Sequence, residues 1–353
     1  MVKYIVEDGF SKIKKTGIGQ YTLMIEQILS NLKLDTIEIE KTYLEKIKNK
    51  IFRRIFYSIW LNTFFLLKLL FIREKVVVFF TNFAIPVIKL PHAKYIPVIH
   101  DLTPIKYPEC TSKIINVYEK NNILNAIKNN DYIITVSNTV KNEIIETFKI
   151  KEDKIFVVYN TIPKIFFSNS NINASVLEKY GLESKKYILS VATLNKRKNI
   201  PALITAFDEI SNNYPNLKLV LIGGMGSEDK AKLNANKNVI FTGYIDDDLM
   251  PVFYKNALLY VYPSIYEGFG IPLIEALYCH VPVLSSDIPV FREIGQNCVN
   301  YFNLNEDKLA NILNNILETK SYLTINLSEM SKNCDNYSLS AITNQVIEVL
   351  KTV

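Results

Sequence analysis

The sequence predicts an α/β protein made of two doubly wound, parallel-sheet domains, and three observations lead there. Its 353 residues exceed the roughly 250 that a single core organises well. Short β-branched runs alternate with helical patterns along most of the chain, the pattern of parallel strands joined by crossover helices. A polar segment at 163–174, containing Ser-Asn-Ser-Asn-Ile-Asn, divides these runs into halves and has a linker's composition. The domain boundary is therefore placed near Pro163. With 48% hydrophobic residues, 21 Tyr and 19 Phe, each half has ample material for a core, which argues against disorder.

In the first half, strands are predicted at 3–7, 76–81, 95–100, 132–137 and 155–159. A helix over 139–148 lies between the last two, with Ser137 or Asn138 as its N-cap. In the second half, strands are predicted at 187–192, 217–222, 239–242, 258–262 and 281–284. Most of these are almost wholly apolar, as strands buried on both faces should be. Helices are expected at 200–213, 249–255, 272–278 and in a C-terminal stretch. No internal repeat or low-complexity tract interrupts the pattern.

The net charge of +6 is modest but uneven, because Lys46, Lys48, Lys50, Arg53 and Arg54 fall within nine positions. Such clustering suggests an anionic partner. Cys110, Cys279, Cys298 and Cys334 are widely separated and form no C-x-x-C pair, so neither a zinc site nor a dense disulfide framework is indicated. A reducing cytosol is the expected compartment. The N-terminus lacks the basic start, apolar stretch and small-residue cleavage site of a secretory signal. The apolar run 55–72 is interrupted by Ser58, Asn62, Thr63 and Lys68 and falls short of the ~20 residues a spanning helix needs.

Four segments can carry chemistry. In the first, Tyr262-Pro-Ser-Ile-Tyr-Glu267-Gly-Phe-Gly-Ile-Pro272-Leu-Ile-Glu275-Ala, a strand runs through a glycine loop into a helix. Glycines permit close backbone approach to a ligand, free N–H groups at a helix start favour an anion, and Pro272 is preorganised there. Glu267 and Glu275 then flank the ligand as acceptors for sugar or ribose hydroxyls. The alternative is an ordinary strand-to-helix turn in which Glu275 only favours the helix dipole.

The second segment, Ser190-Val-Ala-Thr-Leu-Asn-Lys196-Arg197-Lys198-Asn199, puts three cations at a strand's carboxyl end, where ligands of open α/β sheets gather. They can neutralise a diphosphate in place of a magnesium ion. A solvated basic loop is the alternative. The third, Thr16-Gly17-Ile18-Gly19-Gln20-Tyr21, supplies G-x-G without the full dinucleotide fingerprint or its ribose-binding acid, which disfavours a dehydrogenase. Gly17 and Gly19 still suit backbone approach to a phosphate. In the fourth, His100 of Val98-Ile-His100-Asp101-Leu102-Thr103-Pro104 ends an apolar strand. It is read either as a donor-hydroxyl or leaving-phosphate contact or as a packed, capped histidine. Asp246-Asp247-Asp248 looks like a metal-binding run but precedes a helix, where N-capping accounts for it. Nucleophile-elbow, H-E-x-x-H and P-loop patterns are absent, which gives no support to hydrolase or kinase chemistry.

Together these segments resemble the retaining glycosyltransferases of family 4, the glycosyl transferases group 1, which have the GT-B fold. The likeness covers nearly the entire chain. Its strongest part is Ser264-Ile-Tyr-Glu267-Gly-Phe-Gly-Ile-Pro-Leu-Ile-Glu275-Ala276-Leu, with seven residues between the glutamates, then Val281-Pro-Val-Leu-Ser-Ser-Asp and Glu293-Ile-Gly295. The resemblance implies two Rossmann-like domains facing a central cleft: residues 1–163 on the acceptor side and 164–337 binding the nucleotide sugar. A C-terminal helix of about 338–353 would pack back on the first. It further implies that Glu275 binds the donor ribose, Glu267 the transferred sugar's hydroxyls, and the backbone of Phe269, Gly270 and Ile271 the sugar. Arg197 and Lys198 would hold the diphosphate beside the Gly17 and Gly19 loop, with Tyr244 and Ile245 near the base. Such enzymes keep the anomeric configuration and need neither metal nor cofactor. Attack occurs on the face the phosphate leaves, and no side chain is a nucleophile. Three positions depart from the pattern: His280 and Thr161 stand where glycine is usual, and Ala192 where some relatives place a phosphate-binding arginine.

The implied activity is transfer of a hexose-type sugar from a nucleotide diphosphate to a glycan or lipid-diphosphate-linked acceptor, as in bacterial surface polysaccharide synthesis, with no nucleic-acid partner. The five clustered cations followed by Ile55-Phe56-Tyr57-Ser58-Ile59-Trp60 fit peripheral contact with an anionic membrane, or equally a core helix with a solvated basic start. The expected location is the cytoplasm, at the inner face of the membrane in the first case. A nucleotide-sugar epimerase on the same fold and a silent sugar-nucleotide-binding partner subunit are the competing functions. GDP-mannose, UDP-glucose, UDP-galactose, an N-acetylhexosamine donor and dTDP-rhamnose all remain open as donors.

Overall fold

The computed structural model describes residues 2–7, 9, 16–39, 46–47, 49–167, 174–224, 236–320 and 326–353. Lys48, the Lys50 side chain and the polar run 168–173 lie outside them. The chain divides into two compact units, Met1–Thr161 with Leu339–Val353, and Ile162–Ser338.

Unit 1 is built on a parallel sheet of β1 (Val2–Glu7), β2 (Lys75–Phe80), β3 (Ala93–Ile99), β4 (Ile133–Thr135) and β5 (Ile155–Val157), which lie side by side in sequence order. Tyr4 stands opposite Val77, and Val78 opposite Tyr95. Strand β2 is buried at every position but its first, which is why it reads as an unbroken apolar run. Phe80 meets Phe65 and Tyr95 edge-on, with ring centroids 5.7 and 5.3 Å apart.

The principal helices of this unit are α1 (Gly17–Asn31), α2 (Lys50–Trp60), α3 (Lys113–Asn129) and α4 (Asn138–Phe148). Ser137 caps α4 by accepting the Val140 N–H at 3.1 Å. Gly17 and Gly19 do not form a loop ahead of α1. They occupy its first turn, because the Thr16 hydroxyl accepts the Gly19 N–H and starts the helix there.

Unit 2 holds β6 (Tyr187–Val191), β7 (Lys218–Ile222), β8 (Val239–Gly243), β9 (Leu259–Tyr262), β10 (Val283–Ser286) and β11 (Asn300–Phe302). All pair in parallel, in the spatial order β11-β10-β9-β6-β7-β8. The chain runs outward from β6 to β8, then returns to β9 on the other side of β6. The strand order therefore reverses between β6 and β9, and the carboxyl ends of the strands at such a reversal are the usual ligand position in these sheets. Helices α5 (Ile200–Ser211), α6 (Ile271–Tyr278) and α7 (Leu309–Thr319) follow β6, β9 and β11. Phe207, Leu219, Leu221 and Leu313 lie in one core cluster, all at most 3% exposed. The last helix, α8 (Leu339–Thr352), belongs to unit 1, where Gln345 accepts the Tyr159 N–H at 2.9 Å.

Just beyond α6, His280 adopts φ +55° and its Nε2 lies 3.0 Å from the Ser331 hydroxyl. Histidine tolerates this left-handed geometry better than a β-branched residue. His280→Val is expected to destabilise unit 2 by about 1–2 kcal/mol. His280→Gly should stay within about 1 kcal/mol of the parent, because lost strain offsets added chain entropy. Urea titrations of both variants decide it, and equal losses would contradict backbone strain as the cause.

Candidate active site

The turn after β6 is shaped by two glycines. Gly223 has φ +142°, and a Cβ there would stand 2.1 Å from the Ala192 carbonyl oxygen, so only glycine lets the β7 exit approach the β6 exit this closely. The Gly224 carbonyl accepts the Leu194 N–H at 3.0 Å. The chain then forms a 3-10 turn over Lys196–Lys198, which Asn195 caps through its side chain, before α5 begins. Arg197 and Lys198 are thereby presented at the carboxyl end of β6.

Beyond β9 the chain crosses to the same place. The Arg197 carbonyl accepts the Ile265 N–H at 2.8 Å, which ties the two loops together. Gly270 takes φ +100° ahead of α6, and a Cβ there would press the Phe291 ring at 2.9 Å. Between these anchors Glu267 points inward. The Arg197 guanidinium donates to Glu267 Oε2 at 2.7 Å and to the Tyr266 carbonyl at 2.6 Å. The Lys198 ammonium pairs with Glu267 Oε1. It also lies 3.2 Å from the Tyr262 hydroxyl and 5.3 Å from that ring's centre. The Tyr262 hydroxyl donates to Glu267 Oε1 at 3.1 Å.

Burial alone would raise the Glu267 carboxyl, but the two cations outweigh it and hold it down at about 2. Glu267 is therefore an anion at all working pH values. Two positive charges on one carboxylate leave the cluster net cationic, and its side chains are only 8–16% exposed. Low exposure strengthens each interaction relative to water. The arrangement suits a multiply charged anion with a hydroxyl-bearing group attached.

Glu275 sits in the second turn of α6 and is buried, accepting the Tyr254 hydroxyl at 2.8 Å. An acid serving only the helix dipole would sit exposed in the first turn, so that reading does not fit. Burial pushes the Glu275 carboxyl up to about 7, against a smaller lowering by Tyr254. A row of tyrosines joins the two carboxylates. Tyr254 hydrogen-bonds Glu275, its ring lies 5.5 Å from that of Tyr260, and Tyr260 lies 5.7 Å from Tyr262, which bonds Glu267.

Arg197, Lys198, Glu267, Gly270 and Glu275 thus share one end of the unit 2 sheet, and Ile271 opens α6 beside them. The Phe269 side chain is buried edge-on to Tyr337 at 5.7 Å. Tyr244 is 71% exposed and its ring lies over Gly224, where any Cβ would stand 2.4 Å from it. The adjacent Ile245 is buried. Sequence reading missed Tyr254, Tyr260, Tyr262, Gly223 and Gly224. The alternation Tyr260-Val261-Tyr262 was a signal of two aromatics on one strand face.

His100, Gly17 and Gly19 belong to unit 1. His100 Nε2 lies 2.7 Å from the Thr81 carbonyl, which can only accept, so the proton is on Nε2 and Nδ1 carries the lone pair. Burial keeps the ring's pKa below its usual value, against raising by Thr81 and Asp101. Tyr21, one turn along α1 from Gly17, meets His100 edge-on at 5.1 Å. Asp246 makes no side-chain cap. The acidic run instead enters a 3-10 turn, Asp247–Leu249, ahead of the helix Met250–Asn256. Among the described residues no group of three or more His, Cys, Asp or Glu is placed to hold a metal.

Residues 175–338 match the family described as Glycosyl transferases group 1, and residues 36–164 match Glycosyltransferase Family 4. The chain is 32% identical over 258 residues to the O-antigen chain mannosyltransferase RfbU of Salmonella typhimurium, covering 71% of this chain and 67% of that one. It is 31% identical over 218 residues to O-antigen chain mannosyltransferase B of Escherichia coli, covering 58% and 56%. The chain thus spans about two thirds of the first relative's length and little more than half of the second's. In fold it is similar to Anabaena HepE, solved in complex with UDP and glucose (TM-score 0.70, 15% identity, 100% of each chain). It is likewise similar to WaaG, a glycosyltransferase involved in lipopolysaccharide biosynthesis (TM-score 0.69, 15% identity, 99% of each chain). The chain belongs to the group 1, family 4 glycosyltransferases, and its two parallel sheets are those of the GT-B fold.

The Glu275 environment has a thermodynamic signature. Its folded pKa of about 7 stands above the usual 4.5, so its contribution to stability is full below pH 4.5 and is lost as pH rises through 7. Glu275→Gln removes that loss. The variant should gain on the parent between pH 5 and pH 8 by up to about 3 kcal/mol, read by urea denaturation at both pH values. A pH-independent difference would contradict a raised carboxyl.

Proposed function

We propose that this glycosyltransferase moves a hexose, mannose in the first instance, from a nucleotide diphosphate donor to a glycan or lipid-diphosphate-linked acceptor in bacterial surface polysaccharide synthesis. The observation that carries the reading is the buried cluster of Glu267 with Arg197 and Lys198 at the point where the unit 2 strand order reverses. The names of the two O-antigen mannosyltransferases favour mannose, and hence GDP-mannose among the donors.

In this reading Arg197 and Lys198 turn part of their charge from Glu267 to the donor pyrophosphate and stabilise it as it departs. Glu267, anionic throughout, accepts hydroxyls of the transferred sugar, and Tyr262 keeps it oriented. Glu275 accepts ribose hydroxyls, with Tyr254 fixing its second oxygen. Tyr244 lies beside the base and Ile245 backs it. Within unit 1, the helix start offers the Gly17 N–H to an anion, the Gly19 N–H being held by Thr16, and His100 Nδ1 can accept a hydroxyl. The acceptor oxygen attacks C1 on the face the phosphate leaves. The C1–O bond to phosphate breaks as the new glycosidic bond forms, the acceptor proton passes to the departing phosphate oxygen, and configuration is retained. Charge neutralisation by the two cations makes a metal unnecessary.

Product analysis with GDP-mannose tests the reading, since transfer requires a second substrate whereas epimerisation does not. Mannosyl transfer should persist in EDTA. Glu267→Ala should lower kcat/KM at least about a hundredfold, as expected when a buried charge-assisted contact is lost. Tyr254→Phe keeps the ring but frees Glu275, and should raise the donor KM several-fold with little change in kcat. A Glu267→Ala enzyme of undiminished activity would contradict the assignment.

A further inference from the structure

Residues 46–73 carry seven lysines and arginines, namely Lys46, Lys48, Lys50, Arg53, Arg54, Lys68 and Arg73, and no acid at all. Among the described residues of this stretch the chain forms one helical rod. It begins at Asn49, whose side chain accepts the Ile51 N–H, runs through α2, passes a π turn at Leu61–Phe65, and ends in a helical turn at Leu66–Leu70. Its inner side is core: Tyr57, Trp60, Phe65 and Leu69 are all at most 8% exposed.

The outer side is apolar as well. Phe52 is 57% exposed, Phe56 47%, Ile59 51%, Phe64 63%, Leu67 51% and Phe71 86%. Single exposed hydrophobics are ordinary, but a row of aromatics along a whole rod is not. The π turn keeps the row aligned. Phe52 and Phe71 are nineteen positions apart, which would turn them about 100° from each other on a regular helix, and the extra residue of a π turn removes that offset. Asn62 in the π turn accepts the Val87 N–H at 2.7 Å, which adds exposed Val87 to the same region.

We propose that the outer face of this rod is an in-plane docking surface for an anionic lipid bilayer. An apolar row with cations and no acid in the same stretch complements acyl chains below and negative head groups beside them, whereas the cationic excess works against stacking two copies of the same face. The rod's inner side reaches the carboxyl edge of the unit 1 sheet. Tyr57 donates to Glu7, the last residue of β1, at 3.0 Å, and Arg54 pairs with Glu119 at 2.6 Å. Docking therefore brings the bilayer to the edge where ligands of such a sheet bind. The surface stands independently of the donor chemistry proposed above.

The test is co-sedimentation of the full chain with phosphatidylglycerol/phosphatidylcholine vesicles and with pure phosphatidylcholine vesicles, alongside mannosyl transfer to a water-soluble acceptor. The expected result is binding to the anionic vesicles, weakened by salt, and reduced at least about tenfold in Phe52→Ser/Phe56→Ser/Phe64→Ser and in Lys46→Gln/Arg53→Gln/Lys68→Gln, with transfer in solution unchanged. Phe56→Trp gives a readout that needs no polar substitution, and its emission should shift to the blue on adding anionic vesicles. The proposal is overturned if the parent does not bind, if either triple variant binds like the parent, or if the Phe56→Trp emission does not move. It is also overturned if light scattering shows that the serine variant loses self-association while vesicles bind neither protein. Loss of vesicle binding with transfer intact concerns this surface alone, and loss of transfer to the soluble acceptor concerns the donor site alone.

Discussion

Two cations held on one buried carboxylate are the constraint on which the rest of unit 2 depends. Arg197 and Glu267 stand seventy residues apart in sequence, and each reaches the other only because β6 and β9 are neighbours whose exits converge. An unpaired charge at that depth would be costly. The loops are therefore built to keep the pairing. Gly223 allows the close approach at Ala192, Asn195 caps the cationic turn, and a backbone hydrogen bond from Ile265 to Arg197 locks one loop to the other.

The two glutamates of the site sit in opposed electrostatic states. Burial acts on both, but Glu267 has cations to overcome it and Glu275 has only a tyrosine hydroxyl. The first is a permanent anion that anchors the two cations. The second titrates near neutrality, so its charge state can respond to whatever is placed beside it. The tyrosine row between them lets one rigid strand face, β9, support both carboxylates.

Much of this was legible in the sequence where burial on both faces leaves a continuous apolar run, as in β2, β7 and β9. The three-residue edge strand β11 gave no such run. Helix α3 escaped notice because its many asparagines favour non-helical geometry. Their side chains are satisfied within the fold instead: Asn116 donates to the Pro104 carbonyl and Asn122 to the Tyr118 carbonyl. Glu267, Glu275 and the cations were legible as residues at the carboxyl ends of strands, but not who would pair with whom. The hydroxyls of Tyr254 and Tyr262 had no sequence signal, because a phenol's partner is set by tertiary packing. At Gly17 and Gly19 the glycines drew the eye to a loop, whereas Thr16, three residues before Gly19, was the helix-start signal that decided the local structure.

A pyrophosphate grip at the Arg197–Lys198–Glu267 cluster is most directly tested by calorimetric titration of GDP and UDP into the parent and into the Arg197→Gln/Lys198→Gln variant. Loss of two charge-assisted contacts predicts that the better-binding diphosphate weakens at least about a hundredfold, while the corresponding nucleoside without phosphate binds both proteins equally. An unchanged diphosphate affinity in a folded double variant would contradict it.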